Sequence, residues 1–222
     1  NLQSLNLSNF NTSKVEDMGF MFQECTNLNN LNLSSFDTSS VTTMNGMFKG
    51  CSSLTSLDLG NNFDTSSVTT MAAMFQNCSK RVTLDLSSFD TSIVTDTSYM
   101  FDGCTSLTTI YASDDFDVTG VTNSTVMFSG ATLLVGGNGT AVATKGVYDK
   151  TYAKVDRANQ EGYFTDGTVP IINNVATTKT TNSITLTVTA TEAGDASKVT
   201  SYEYSIDGGT TWVSQTDPNV AD

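Results

Sequence analysis

The chain contains no histidine, so Ser-His-Asp and Cys-His nucleophile pairs and His-ligated metal sites cannot be built within it. Basic residues are scarce as well. Ten Lys and Arg stand against 23 Asp and Glu, a net charge of −13. Such a balance opposes phosphate backbones and anionic lipid surfaces, because binding either needs clustered cations. Neither nucleic acid nor a membrane surface is expected as a partner. No run approaches the roughly 18 apolar residues of a membrane span, so no membrane insertion is expected within these residues. The first residues also lack an initiator Met and the basic and apolar regions of a secretion signal. Since the chain opens inside a patterned segment, Leu2-Gln3-Ser4-Leu5-Asn6-Leu7, it reads as a fragment whose targeting signals, if any, lie outside it. What remains is an ordinary globular composition, 38% apolar over 222 residues, long enough to bury a core without a metal or disulfide staple.

A repeat organises the first two thirds. The pair Met-Phe recurs at 21-22, 47-48, 74-75, 100-101 and 127-128, in steps of 26, 27, 26 and 27 residues. In the same register run Leu5/Leu7, Leu31/Leu33, Leu57/Leu59, Leu84/Leu86 and Ile110/Ala112, then Phe10, Phe36, Phe63, Phe89 and Phe116, then Val15, Val41, Val68, Val94 and Val121. Four residues after each Met stand Cys25, Cys51, Cys78 and Cys104, with Ala131 in the fifth copy. Leu54-x-x-Leu57-x-Leu59 ends in strict alternation, the period of a strand, whereas Val41, Met44, Met47, Phe48 and Cys51 fall at helical spacing. Each copy therefore reads as a short strand followed by a helical turn or two. One copy alone cannot bury both its leucine row and its Met-Phe row. Stacking copies at about 4.8 Å per strand buries both continuously. The extra residue in Leu59-Gly60-Asn61-Asn62-Phe63 falls where strand leaves for loop and reads as a small bulge that need not shift the stacked rows.

The pattern Leu-x-x-Leu-x-Leu-Ser-Ser-Phe-Asp-Thr-Ser-x-Val, followed by Met-x-x-Met-Phe-x-x-Cys, closely resembles the repeat of bacterial BspA-family leucine-rich-repeat surface proteins over residues 1–134. The resemblance implies an α/β solenoid, a right-handed leucine-rich-repeat coil of short parallel strands and short helical segments. It implies a bacterial cell-surface, extracellular location and a role in adhesion, and it carries over no catalytic residue. Thr97 and Ser124 depart from the pattern in place of the first Met, as do Ala131 in place of Cys and Ala112 in place of Leu.

Beyond Leu134 the register stops in Val135-Gly136-Gly137-Asn138-Gly139-Thr140, a turn-rich break. Residues 135–167 read as a C-terminal cap, with Val147, Tyr148, Tyr152, Val155, Tyr163 and Phe164 to cover the last copy and 153–158 as a candidate helix. At the other end Leu2, Leu5 and Leu7 are left on an uncovered edge. Residues 168–222 change to β-rich alternation, Ile184–Val188 and Tyr202–Ile206, with Asp207-Gly208-Gly209 as a hairpin turn. They resemble the opening strands of a fibronectin type III or bacterial immunoglobulin-like module, an all-β sandwich-like segment too short to be complete.

The cysteines are expected as free, buried thiols, because Ala131 in the same slot asks only for a small apolar side chain. A linear ladder of them cannot offer zinc a tetrahedron. Asp37, Asp64, Asp90 and Asp117 form a column after the Phe, either capping turns or binding calcium; one carboxylate per loop favours capping. No cofactor and no metal is expected. Side chains alternating with the leucines give a polar column, Asn32, Asp58, Asp85 and Tyr111, preceded by Asn6 and flanked by small residues such as Ser34, Thr83 and Ser87. A nearly flat polar surface suits an extracellular protein or glycan better than a buried metabolite, and Tyr111 is its natural anchor. The expected function is non-catalytic: adhesion or interaction through that concave face, or else a structural surface stalk without a specific ligand. An enzyme is not expected, since no nucleophile is paired with a base.

Overall fold

The structure, a computed structural model, describes residues 2, 3 and 5–167 in full and, of residues 168–222, the backbone of four strands. The chain divides into two compact units, Asn1–Gly167 and Thr168–Asp222.

In the first unit the repeats pair in parallel, one copy apart. Strand β1 (Asn30–Asn32) pairs with β2 (Ser56–Asp58), placing Leu31 beside Leu57. Strand β3 (Thr83–Leu86) pairs with β4 (Thr109–Ala112), placing Leu84 beside Ile110, and β4 pairs with β5 (Thr165–Asp166). The result is small sheets of short parallel strands. Alternation decides which face is buried: Leu31, Leu33, Leu84, Leu86, Ile110 and Ala112 are sealed, while the residues between them are exposed. A second row of parallel bridges runs through all five copies, from Asp17 through Thr43, Thr70 and Asp96 to Asn123.

The core consists of columns of like side chains. The Met-Phe phenylalanines stack ring on ring, Phe22, Phe48, Phe75, Phe101 and Phe128, with centroids 5.3–5.9 Å apart. That is one strand spacing plus the offset aromatic pairs prefer. Met44, Met47, Met71, Met74, Met100 and Met127 are sealed beside them. Thr12, Thr38, Thr65 and Thr91, from the Asp-Thr-Ser run, are buried and donate their hydroxyls to the carbonyls of Asp37, Asp64, Asp90 and Asp117 in the following copy, at 2.7–2.8 Å. The Thr thus joins neighbouring copies.

The Met-Phe segment is not helical. Phe48 N–H donates to Met74 O, Phe75 N–H to Met100 O and Phe101 N–H to Met127 O, each in the next copy, while Cys51 N–H turns back three residues to Phe48 O. Each copy places two residues in the left-handed region, at 20 and 24, 46 and 50, 73 and 77, 99 and 103, and 126 and 130. Left-handed residues interrupt an α-helical ladder, and the segment becomes a string of tight turns whose free amides point to the neighbouring copy. Side chains still return to one side every three or four residues, so the spacing imitates a helix. The described residues hold very little helix: α1 (Val142–Lys145) and a single 3-10 turn at Lys150–Tyr152.

Residues 135–167 lie against the last copy. Phe128 N–H donates to Tyr148 O, and the rings of Tyr163 and Phe164 meet Phe128 edge-on at 5.2 and 6.0 Å. The expected helix at 153–158 is absent; Val155 bridges Phe164 and Arg157 bridges Gln160 instead. At the opposite end Phe10 and Met21 are 58% and 43% exposed, where Phe36 and Met47 in the next copy are sealed.

In the second unit, strand β6 (Ile171–Lys179) pairs antiparallel with β7 (Ile184–Thr191), and β8 (Ser201–Tyr204) with β9 (Val213–Thr216). The Asp207-Gly208-Gly209 turn lies outside the described residues.

Candidate functional site

The strand column of polar side chains is exposed, but it is two pairs of residues instead of one continuous row. Asn32 lies beside Asp58 across β1 and β2, and Asp85 beside Tyr111 across β3 and β4. Asn32 Nδ2 donates to Asp58 Oδ2 at 3.1 Å. Tyr111 is 38% exposed, held between Asp85 on one side and Thr165 of β5 on the other.

Each polar member also works locally. Asn32 Oδ1 accepts from the amide and hydroxyl of Ser34, Asp58 Oδ1 from the Gly60 amide, and Asp85 Oδ1 from the amide and hydroxyl of Ser87. These are Asx turns where each strand ends.

The column at 37, 64, 90 and 117 does the same one loop later. The carboxylates accept from the amides of Ser39, Ser66, Ser92 and Thr119, so each caps its turn. The Ser39 hydroxyl and then its amide hold the Asp37 carboxyl below the usual range. Among the described residues no three His, Cys, Asp or Glu side chains are grouped to hold a metal ion.

The four cysteines are free thiols. Burial pushes the thiols of Cys51 and Cys104 up to about 12 and that of Cys78 well above its ordinary value. Each of these three directs Sγ to a carbonyl one copy back, Phe22, Phe48 or Phe75, at 3.1–3.2 Å. They are core groups without nucleophilic character at neutral pH.

One feature of this face escaped sequence reasoning. Between β2 and β3 the strand ladder is interrupted, although the turn and ring columns continue beneath it. Two departures from the repeat meet there. One is the extra residue after Leu59, in the loop where Gly60 and Asn61 line the gap and where Gly60, at φ +74°, lies so close to the preceding copy that a Cβ would be 2.4 Å from Ser34 Cα. The second departure is Arg81. Three residues after the Cys or Ala position stand Leu28, Leu54, Leu107 and Leu134, all sealed; in the third copy that slot holds Arg81. Separating the strands leaves Leu57 and Leu59 half-buried and opens a cleft of about 400 Å³ lined by Asp58, Gly60, Asn61, Arg81, Asp85 and Ser87, among others.

Arg81 is 9% exposed. Its Nη1 donates to Thr55 O at 2.6 Å, and its Nε is shielded from solvent with no partner. Burial pulls its pKa below the ordinary arginine value. The ion pairs among the described residues are Lys145–Glu161, Arg157–Asp114 and Arg157–Asp166; none includes Arg81. The repeat register itself carried the signal, a cation where four copies carry leucine.

The family described as "Mycoplasma protein of unknown function, DUF285" matches residues 1–108 and again residues 55–153. The two spans start about two repeat lengths apart, as a repeating sequence allows, and together they cover more than half of the chain. The chain belongs to this family. No curated protein and no solved structure matches it.

Proposed function

We propose that this member of the family is a non-catalytic surface protein of a bacterium, binding an extracellular protein or glycan through the exposed face of its strands. On this reading the stacked copies form a right-handed leucine-rich-repeat solenoid of the BspA type, the strand face is its concave side, and residues 135–167 are its cap. Residues 168–222 are part of a fibronectin- or immunoglobulin-like spacer outside the cell. The observation that carries the reading is the division of labour within each strand. Leucines are spent on the core, while the alternating positions present Asn32, Asp58, Asp85 and Tyr111 to solvent. Catalysis finds little support: the thiols of Cys51, Cys78 and Cys104 are buried in the core, and the carboxylates of Asp58 and Asp85 are engaged in capping turns. Among the described residues no helix is long and apolar enough to cross a membrane.

The test is binding of the chain to a panel of extracellular-matrix proteins and glycans, with Tyr111→Ala plus Asp85→Ala as the variant. Loss of a tyrosine anchor together with a carboxylate should weaken binding about 30-fold or more. Undiminished binding by the double variant would move the interface off this face. No binding by the chain across the panel, while cells displaying it still adhere, would favour a stalk.

A further inference from the structure

The cleft between β2 and β3 has a charge problem that the described residues do not solve. A guanidinium offers five N–H donors in a planar fork and fits a carboxylate bidentately. Burying it without an anion is unfavourable, and buried charges in proteins are ordinarily paired. Arg81 is nine-tenths buried, and among the described residues it has one protein acceptor in Thr55 O, an idle, shielded Nε and no carboxylate within ion-pair distance. Leucine in the same slot would fill the core row, as it does in the other four copies.

The surroundings of the guanidinium narrow the ligand further. Asp58 and Asp85 stand on the two separated strands that border the cleft, and Asn61 and Ser87 also line it. Carboxylates at the rim disfavour a bare anion such as phosphate and favour a molecule that brings its own donors next to its negative charge. Hydroxyl groups suit Asp, Asn and Ser equally. Apolar wall is supplied by Leu57, Leu59 and Leu84, and a volume of about 400 Å³ accommodates one sugar ring.

We infer that this cleft binds an acidic sugar, its carboxylate received by Arg81 and its hydroxyls by the polar rim around Asp58 and Asp85. The inference rests on the strand face being a recognition surface and names the ligand chemistry for one part of it. The sugar supplies the missing counter-charge, and the interrupted ladder gives it entry.

The experiment is titration of the whole chain with D-glucuronate and, separately, D-glucose, which has the same ring hydroxyls and no carboxylate, followed by calorimetry or by ligand-observed NMR. Saturable binding of glucuronate, with glucose weaker by about 10-fold or more, is expected, the size of a hydrogen-bonded charge interaction. Arg81→Leu, which restores the leucine of the other copies, should abolish glucuronate binding while leaving the circular dichroism spectrum unchanged and the Tm unchanged or raised. Equal affinity for the two sugars, absence of saturable glucuronate binding, or full glucuronate binding by Arg81→Leu would each overturn the inference. The sugar comparison on the unaltered chain decides the matter even if the variant misfolds. Failure here with binding to the matrix panel intact removes only the acidic-sugar site. Glucuronate binding with the panel silent removes only the broader surface interaction.

Discussion

Phe48→Ala should lower the stability of the repeat unit by about 3–5 kcal/mol, measured by denaturant or thermal unfolding. The ring is fully sealed and lies between Phe22 and Phe75, with centroids at 5.8 and 5.3 Å. Its removal therefore costs transfer free energy and two ring contacts and leaves a cavity between copies that cannot close without breaking register. In a stack where each copy touches only its neighbours, a defect in the second copy also weakens the coupling between the first copy and the rest. The control is Phe20→Ala. Phe20 belongs to the same kind of segment but is 50% exposed, so the change should stay near the few tenths of a kcal/mol typical of surface positions, about 0.5 kcal/mol. A loss under about 1 kcal/mol for Phe48→Ala would place that ring outside the core.

Asp156→Ala should cost about 3 kcal/mol and loosen the two halves of residues 135–167 from each other. Asp156 is 5% exposed and accepts four hydrogen bonds: from the amides of Asn138 and Thr140 at 2.9 Å, from the Thr140 hydroxyl at 2.8 Å and from the Gly162 amide at 3.2 Å. These donors come from both sides of the segment, so the carboxylate is the point at which its two halves are tied. Truncation leaves amides without an acceptor, the costly direction of a hydrogen-bond change. Burial pushes the Asp156 carboxyl up, but the donors from Thr140, Gly162 and Asn138 together hold it below the usual range. A carboxyl whose folded value is depressed stabilises the fold above its unfolded value, and that contribution disappears as pH falls through the folded one. The gap in stability between the unaltered chain and Asp156→Ala should accordingly be full at neutral pH and shrink in acid below the ordinary carboxylate range. A gap independent of pH would show that the carboxylate charge is not what the donors recognise.

Much of this was legible in the sequence because the repeat compares the chain with itself. Leucine alternation located β1 to β4 and their buried face, and the Met-Phe register located the ring column, since identical side chains recurring at one spacing can all be buried only by stacking. The nature of the Met-Phe segment was not legible. Periodicity reports which side chains share a side, and tight turns with left-handed residues at 46 and 50 return side chains to one side much as a helix does. Which acceptor an amide finds, Met74 O in the next copy or a carbonyl in its own, depends on the neighbour. The same limit applies to Asp156, whose partners lie 6 to 18 residues away in sequence.

The exposed polar column illustrates both sides. Asn32, Asp58, Asp85 and Tyr111 are exposed as the alternation requires. The cleft that divides them lies where two departures meet, the residue inserted beside Gly60 and Arg81 in a leucine slot. An insertion at a loop was expected to be absorbed there. It is absorbed in the turn and ring columns, but the strand ladder opens, because a guanidinium carries polar groups into a row otherwise filled by leucine.

The central claim is that successive copies stack in strict register, each residue beside its equivalent one copy away. Selenium positions from anomalous diffraction of selenomethionine-labelled protein test it most directly, because Met47, Met74, Met100 and Met127 are equivalent and fully buried. The account predicts four selenium sites in one line with steps of about 5 Å, one strand spacing. Sites scattered in unrelated directions, or unequal steps that place equivalent methionines in different surroundings, would contradict it.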